Sequence, residues 1–596
     1  MMFRMMWSSL RFAIQVALAI VVIASAQAAD PVLAQDTQPD PRDPVLPDIA
    51  PRVVEIRGQL EISMPSLERQ PLIGFNPPPR VVTIPSDREP FVGPYKQESV
   101  DLPRSPLAPP EPPPVASLIG QSPRIGRLSA SIGRYFSRTA SFQSEWPLSE
   151  RASIYSNADY SGSDGHTPFD EDPDITASFD ALEAMVGVNV ASQPVRFAFE
   201  IDGFLNQYLL YAAAPSPGAS HLSDEPPMRD GRGGGIAGRL RTRAQVPVDF
   251  GLQVRYGVTQ YETEALADES AVNDVFLREE QALEASADLE APLQGGQFTV
   301  GDLSYTFLNP ENPPSTTSLH MFNGGAGVRL AFGDIFQVTA LARVMTYLVE
   351  DSSARAFVAP DISLDFYPTA GIRLYAQNRP RAEHHTSATL LRETPYLADG
   401  FLVRPSITTI DARGGGRFIV GVFEGDLNGG YQRAPMFRFF ERASADEAQG
   451  FSQGFIAIRY EEAEIYYVGG EAAVILPAGL SISAGLTFRQ GTLADTDEDI
   501  PYFGPILAQG GVGYAFAGGR GFIKASMTYE SARKVARGNA REIGDFFDLD
   551  VEAAYDLTPN IGVVARAENL SAGFLERWEH YEQSPFVIGT GLRVRW

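Results

Sequence analysis

From residue 127 to residue 596, apolar and polar side chains alternate in short runs, as in 250–258, 480–488 and 547–555. In the second of these runs, Leu480, Ile482 and Leu486 fall on one face, and small or polar residues fall on the other. A period of two is the side-chain period of a β-strand with one buried face. About 20 such runs fill roughly 470 residues. The sequence therefore predicts an all-β fold for this part of the chain.

The connections between these runs alternate in length, with tight turns such as 477–479 and 558–560 and long polar loops such as 214–232 and 308–320. A soluble β-sandwich also alternates, and a propeller would show an internal repeat of about 40–50 residues, which the sequence lacks. Short turns on one rim and long loops on the other are typical of a transmembrane antiparallel β-barrel. At about 21 residues per strand and connection, we expect about 22 strands, with about 16 to 20 as the alternative.

Residues 1–28 have the pattern of a secretory signal peptide. Arg4 and Arg11 give a positive start, residues 12–24 form an apolar run, and the small residues Ala26 and Ala28 mark a cleavage site. The apolar run is shorter than the ~20 residues that a membrane-spanning helix needs, which disfavours an uncleaved anchor. We expect the mature protein to leave the cytoplasm and to start with the segment 29–126.

The segment 29–126 is rich in proline, since 21 of the 46 prolines of the chain lie between residues 31 and 114. Its apolar residues are too sparse to offset the entropy of ordering the chain, so we expect a largely unstructured periplasmic segment. Two similar units within it carry the apolar pairs Leu72-Ile73 and Phe91-Val92. On an extended, proline-rich backbone such pairs can dock into a groove. Residues 50–110 are thus expected to bind a periplasmic protein partner or to serve as a semi-rigid spacer.

Composition excludes several classes of function. A net charge of −26 disfavours a nucleic-acid partner, and the absence of cysteine excludes disulfides and thiolate metal sites. No nucleophile motif or phosphate loop is present, and the adjacent His384 and His385 lack metal-ligand spacing. We interpret these histidines as residues of a surface loop. The sequence therefore predicts no enzyme activity, no cofactor and no metal site.

Charged residues occupy the polar face of several predicted strands and are expected to line the lumen of the barrel. The candidate lumen residues are Arg239, Arg241, Arg243, Arg255, Arg373, Arg593, Asp548, Asp550 and Glu552. Charges on a wet lumen wall can select ionic solutes. Alternatively, they brace a polar interior through ion pairs. The sequence does not decide between these two roles, because it does not show which strands lie next to each other.

The last part of the chain resembles the C-terminal barrel of TonB-dependent outer-membrane receptors. The resemblance lies in a strand pair at 456–473, a hairpin at 548–560, the Ala-Glu-Asn-Leu of 567–570 and the closing strand 589–596, which ends in Trp596. It implies an outer-membrane barrel, in contact with lipid, in a Gram-negative bacterium. Members of that family carry a folded plug ahead of the barrel, and no plug-like sequence is recognisable before residue 127.

Together, these features predict an outer-membrane barrel without a plug. We expect it to act in transport across the outer membrane with a periplasmic partner bound by the proline-rich segment. Two alternatives stay open, which are a structural anchor for an envelope complex and a passive porin.

Overall fold

The computed structural model describes residues 126–596 with several internal gaps. The gaps are residues 170–173, 193, 218, 221, 224, 243–246, 267–275, 313–316, 351–352, 539–540, 572 and 574. The signal sequence, the proline-rich segment with Leu72, Ile73, Phe91 and Val92, and the lumen candidate Arg243 lie outside the described residues.

The described chain forms a closed antiparallel barrel of 22 strands, which confirms the predicted fold class and strand count. The first eleven strands are β1 Gly126–Gly133, β2 Arg138–Ser149, β3 Ala152–Ser163, β4 Phe179–Ala191, β5 Val195–Leu209, β6 Met228–Thr242, β7 Asp249–Glu264, β8 Leu277–Pro292, β9 Phe298–Asn312, β10 Leu319–Phe332 and β11 Phe336–Val349. The other eleven are β12 Arg355–Thr369, β13 Ile372–Asn378, β14 Ile410–Val420, β15 Phe423–Arg442, β16 Ile456–Ile475, β17 Leu480–Leu493, β18 Ile506–Phe516, β19 Gly521–Glu530, β20 Phe546–Asp556, β21 Ile561–Glu568 and β22 Val587–Arg595.

Each strand pairs with its neighbours in chain order, and β1 pairs with β22 to close the ring. The closing register runs from Arg127 opposite Arg595 to Gly133 opposite Gly589. Beyond it, Gly126 and Trp596 exchange two backbone hydrogen bonds, of 3.0 and 3.2 Å. A closed ring leaves no unpaired strand edge, which is the condition for a β-sheet to cross a lipid bilayer.

The outer face of the barrel is apolar and exposed. On β10, Phe322 and Phe332 both point outward and are ten positions apart. Ten residues of a strand tilted by about 45° rise about 24 Å, close to the ~25 Å height of the apolar band of outer-membrane barrels. Outward side chains elsewhere follow the same alternation, including Leu486 on β17, Val563 on β21 and Leu592 on β22. The outer face is therefore a lipid-contacting surface.

The two rims of the barrel differ in the length of their connections. One rim carries the tight turns, for example between β10 and β11, and also holds both ends of the described chain. Aromatic pairs line this rim, with ring centroids 5.5 Å apart for Phe418 and Phe423 and 6.0 Å apart for Phe142 and Trp596. The other rim carries the long connections, of which residues 379–409, between β13 and β14, are the longest. In outer-membrane barrels the short-turn rim faces the periplasm.

Segment 379–409 is folded, and we call it the cap. Its stem is a pair of short strands, Arg381–Glu383 and Ser406–Thr408, and it contains one α-helix, α1, at Ser387–Glu393. Thr386 caps the helix N-terminus by accepting a hydrogen bond from the backbone of Thr389, whose hydroxyl in turn bonds the Thr386 backbone. In the part of the chain that the structure describes, no helix is long and apolar enough to cross a membrane.

A close fit between strands β3 and β4 gives a first prediction. A Cβ atom on Gly187 would lie 2.3 Å from Cζ of Tyr155, whose hydroxyl donates to Glu200. Gly187→Val is therefore expected to displace the ring and destabilise the barrel by about 1–3 kcal/mol. The measurement is urea unfolding followed by tryptophan fluorescence in micelles.

Gly257→Val serves as the matched control, because a Cβ at that position meets nothing closer than 3.6 Å. Adding Tyr155→Ala to Gly187→Val should restore much of the lost stability by removing the clash. Equal stability of the two valine variants would contradict the role assigned to this fit.

Candidate functional site

The lumen wall on strands β5 to β7 is built from ion pairs. The Arg239 guanidinium lies 2.9 Å from the buried Glu200 carboxylate. Arg255 makes two hydrogen bonds, of 2.6 and 2.7 Å, to Asp202. Arg241, towards the short-turn rim, pairs with Asp249 at 3.0 Å. Arg239 and Arg241 therefore each bond a carboxylate on an adjacent strand, and Arg255 of β7 reaches past β6 to a carboxylate on β5.

A second run of pairs follows along strands β9 to β13. Arg343 bridges Asp302 at 2.7 Å and Asp361 at 2.9 Å, so one guanidinium joins three strands. The predicted lumen residue Arg373 pairs with Asp365 at 2.6 Å. Such pairs hold neighbouring strands in register on the wet side of the wall.

The predicted acidic residues lie on a different part of the wall, on β20. Glu552 is in register with Lys524 of β19, and Asp550 accepts a hydrogen bond from the backbone of Asn569 at 3.1 Å. Asp548 lies next to Asp550 on the same face. On the closing strand, Arg593 pairs with Asp556 at 2.8 Å. The candidate lumen residues are thus distributed around the ring rather than gathered into one binding site, and their role in solute selection stays a prediction.

The most elaborate arrangement of the described chain lies at the long-loop rim, where the cap meets the barrel wall. Adjacent residues at the end of α1 bond strands that are eleven apart in the ring. Arg392 pairs with Glu183 of β4 at 2.9 Å, and Glu393 pairs with Arg438 of β15 at 2.8 Å. Eleven strands are half of a 22-strand ring, so the helix end lies across the mouth and bridges opposite walls.

A buried charge network holds the middle of the cap, and we call it the Asp399 latch. The Asp399 carboxylate is 2.9 Å from the Arg229 guanidinium of β6 and accepts a hydrogen bond of 2.9 Å from Thr263 of β7. Arg229 also donates to the carbonyls of Pro395 and Leu397. Arg229 is only 1% exposed and Asp399 only 5%. Because water cannot solvate these buried groups, each charge in the network is stabilised by its partner.

A second network, the Arg278 latch, holds the start of α1. Arg278 of β8 donates to the hydroxyl of Ser387 at 2.6 Å and to the carbonyl of Phe401 at 2.8 Å. Its guanidinium lies 3.8 Å from the centroid of the Phe401 ring. Glu280, also on β8, accepts hydrogen bonds from the backbone and hydroxyl of Ser387. The barrel thus supplies both charges of this latch, and the cap supplies a hydroxyl, backbone groups and a ring.

Apolar contacts complete the closure on the far side of the mouth. Leu397 forms a parallel β-bridge with Ile456 at the start of β16, and both side chains are almost fully buried. Tyr396 stacks on Tyr581 of the β21–β22 connection, with ring centroids 3.4 Å apart. Burial raises the pKa of both tyrosines, so they are neutral at physiological pH. The cap therefore contacts the barrel at several points around the mouth, from β4 to the β21–β22 connection.

No family model matches the chain, and no curated protein matches it. Solved structures do share its architecture. A mutant of the ferric enterobactin receptor from Pseudomonas aeruginosa is 12% identical, with 79% of this chain and 80% of that chain covered and a TM-score of 0.59. The FrpB iron transporter from Neisseria meningitidis is 10% identical, with 81% and 84% covered and a TM-score of 0.60.

The copper transporter OprC is 12% identical, with 79% and 80% covered and a TM-score of 0.58. The chain has the barrel fold of TonB-dependent receptors. This receptor-like fold, together with the apolar outer band, places the chain in the cell outer membrane, as the sequence predicts. The proteins that share the fold are named as receptors and transporters.

Sequence reasoning missed the residues that attach the cap to this receptor-like barrel. Arg229, Arg278 and Asp399 were not among the lumen candidates, and the cap itself was not recognised as a folded unit. His384 and His385 lie in the long β13–β14 connection, as predicted, but both are half-buried there, and His384 lies 3.3 Å from Glu284 of β8. Among the residues that the structure describes, no cluster of three or more metal-ligating side chains is found.

The half-buried His385 gives a pH prediction for the cap of this receptor-like barrel. Burial, with smaller contributions from Arg438 and His384, lowers the pKa of His385 to about 3. A His whose folded pKa is depressed gives full stability above its unfolded pKa of about 6.5, and that stability is lost as the pH falls. We expect the cap to lose about 1–2 kcal/mol of local stability between pH 7 and pH 5.

Hydrogen exchange at the backbone amides of α1 measures this loss, after correction for intrinsic exchange rates. His385→Gln is the control, since glutamine can keep the hydrogen bond to Ser406 (3.1 Å in the structure) but does not titrate. An equal pH response of the wild-type and glutamine proteins would rule out His385 as the cause.

Proposed function

We propose that this chain transports a solute across the outer membrane through a gated barrel, with a periplasmic partner bound by residues 50–110. The observation that supports it most directly is the bridge made by α1 between β4 and β15, because a mouth closed in this way does not suit a passive porin. The receptor-like fold supports the same proposal. Gating in such a barrel needs a source of energy or a partner, and the proline-rich segment is the candidate for partner binding.

The proposal includes the absence of a folded plug, which rests on the sequence of residues 29–126 alone. Its apolar pairs Leu72-Ile73 and Phe91-Val92 are expected to contact the partner. The neighbours suggest a solute class, since they are named as a ferric enterobactin receptor, an iron transporter and a copper transporter. We therefore propose a metal ion or a metal chelate as the first class to test.

Uptake measurements test this function. Cells that lack their own receptors for these solutes would express the full chain, the chain without residues 50–110, or the full chain with Leu72→Ser and Ile73→Ser. Accumulation of radioactive iron as ferric enterobactin, and of copper, is then followed. We expect accumulation of one of these probes with the full chain, and its loss in both altered chains. If all three accumulate neither probe, the proposal for metal solutes fails and the structural anchor becomes the better explanation.

A further inference from the structure

We propose that the connections at the long-loop rim form the permeability barrier of this barrel, so that residues 29–125 are not needed to keep the resting barrel closed. We call these connections the outer layer. Their ranges, apart from the gaps given above, are 164–178, 210–227, 265–276, 379–409, 443–455, 494–505, 531–545 and 569–586. This inference concerns the resting barrel and goes beyond the proposed transport, since it holds whichever solute passes.

Two connections from distant parts of the ring meet over the mouth. The β5–β6 and β15–β16 connections are ten strands apart in the ring of 22. Their backbones pair antiparallel, with Pro215 opposite Phe451, and the backbone of Ser216 donates to the carbonyl of Gly450 at 2.7 Å. These two connections therefore span the mouth together.

An apolar core lies along this span. The ring centroids of Phe451 and Phe455 are 5.0 Å apart, and both side chains are at most 3% exposed. Around them pack buried residues of the β5–β6 and β7–β8 connections and of the cap, which include Leu210, Leu222, Phe276 and Ala398. A second cluster packs four cap residues against the barrel, namely Leu390, Leu391, Leu397 and Phe401 against Tyr261, Phe440, Ile456 and Ile458. The buried members of both clusters are at most 7% exposed, so the core of the layer is dry.

Tyr396 of the cap joins these clusters to the rest of the layer. Its ring packs against both of them and stacks on Tyr581. The ring of Tyr581 in turn lies 5.0 Å from that of Tyr211, between centroids, in the β5–β6 connection. The apolar packing therefore continues from the cap to the β21–β22 connection.

Ion pairs join the connections on the other side of the mouth. Glu579 of the β21–β22 connection is 5% exposed, and it pairs with Arg442 at the end of β15 and, at 2.9 Å, with Arg541 of the β19–β20 connection. Arg537 of the same β19–β20 connection pairs with Glu461 of β16 at 2.6 Å. Connections from both halves of the ring are thus held in one layer.

A dry, packed layer across the mouth blocks a water-filled path, because ions and polar solutes lose their hydration in an apolar region. The wall below, lined by ion pairs such as Arg255 with Asp202, is by contrast the surface of a wet lumen. The contacts that carry this argument join residues after position 163. We therefore expect the barrel's own connections to close the mouth without the proline-rich segment.

The barrier is tested with vancomycin, an antibiotic too large for general porins. Cells express four chains at matched levels, which are the full chain, the chain without residues 31–120, the full chain with Phe451→Asp and Phe455→Asp, and the shortened chain with the same two substitutions. Ser452→Asp with Gln453→Asp is the matched control, because it adds two carboxylates at exposed positions of the same connection. Heat-modifiable migration confirms a folded barrel in each case.

We expect the minimal inhibitory concentration of vancomycin to fall about tenfold in both chains that carry the phenylalanine substitutions, because buried carboxylates open the dry core to water. It should stay at the value of the full chain in the shortened chain and in the control. If the phenylalanine variant does not fold, a short Gly-Ser linker in place of residues 443–455 removes the same contacts.

Three results would overturn the proposal. Sensitivity of the shortened chain alone would place the barrier in residues 31–120. Equal resistance of the disrupted layer and its control would show that the layer is not the barrier. Sensitivity only when shortening and disruption are combined would show that the two parts share this role. None of these results depends on the uptake of iron or copper, so failure of the barrier and failure of the proposed transport function are distinguishable.

Discussion

Asp399→Asn is expected to weaken attachment of the cap by about 3–5 kcal/mol, the usual cost of removing one partner of a buried ion pair. The substitution keeps the shape of the side chain but leaves the Arg229 charge, which is 1% exposed, without a counter-charge. Hydrogen exchange at the amides of α1 should therefore speed up by about two to four orders of magnitude. Exchange in the barrel strands away from the mouth should not change, because β13 and β14 pair without the cap.

Asp495→Asn is the matched control for this prediction, because Asp495 is an exposed carboxylate on another connection of the same rim. The double variant Arg229→Met with Asp399→Leu should recover much of the lost stability, since it removes both charges and keeps the volume apolar. If Asp399→Asn exchanges as slowly as the wild-type protein, the pair does not hold the cap. If the cap exchanges as fast in the double variant as in Asp399→Asn, the stability is lost through packing and not through the unpaired charge.

Leu486→Arg is expected to destabilise the barrel by about 2–4 kcal/mol, because it places a cation on the lipid-facing side near the middle of β17. Thr487→Arg, at the next position, is the matched control. It is expected to cost far less, because the side chain of residue 487 points into the wet lumen. Urea unfolding in liposomes, together with heat-modifiable migration, measures the difference. A similar loss for both variants would contradict the assignment of faces and, with it, the membrane-spanning barrel.

The strands were predictable because their signal is local. A run such as 480–488 shows its two faces within nine residues, and the tight turn at 477–479 marks its start. The ends of the strands were less predictable. The loop expected at 308–320 shrinks to 313–318, because β9 continues to Asn312 and β10 begins at Leu319. Residues 308–312 were expected in a polar loop, but they continue the strand β9. The main-chain hydrogen bonds of the sheet extend beyond the apolar band, and there a strand can carry polar side chains on both faces.

The cap was not predictable, because its contacts join residues that are far apart in sequence. Asp399 meets Arg229 at a separation of 170 residues, and nothing near either residue marks the pairing. The helix α1 has only seven residues, too few to show a helical period. The lumen arginines are an intermediate case. Alternation gives the face of Arg239, but its partner Glu200 follows only from the strand register.

The bonds between Gly126 and Trp596 bear on how the molecule is made. The two residues that join the ring are 470 positions apart, at opposite ends of the described chain. A partly assembled sheet therefore exposes two bare edges, each able to capture a stray strand from another molecule. Growth of the sheet one hairpin at a time does not remove this hazard, because the number of open edges stays at two until the final pairing. Aggregation during biogenesis should thus increase with the time between the formation of β1 and its pairing with β22.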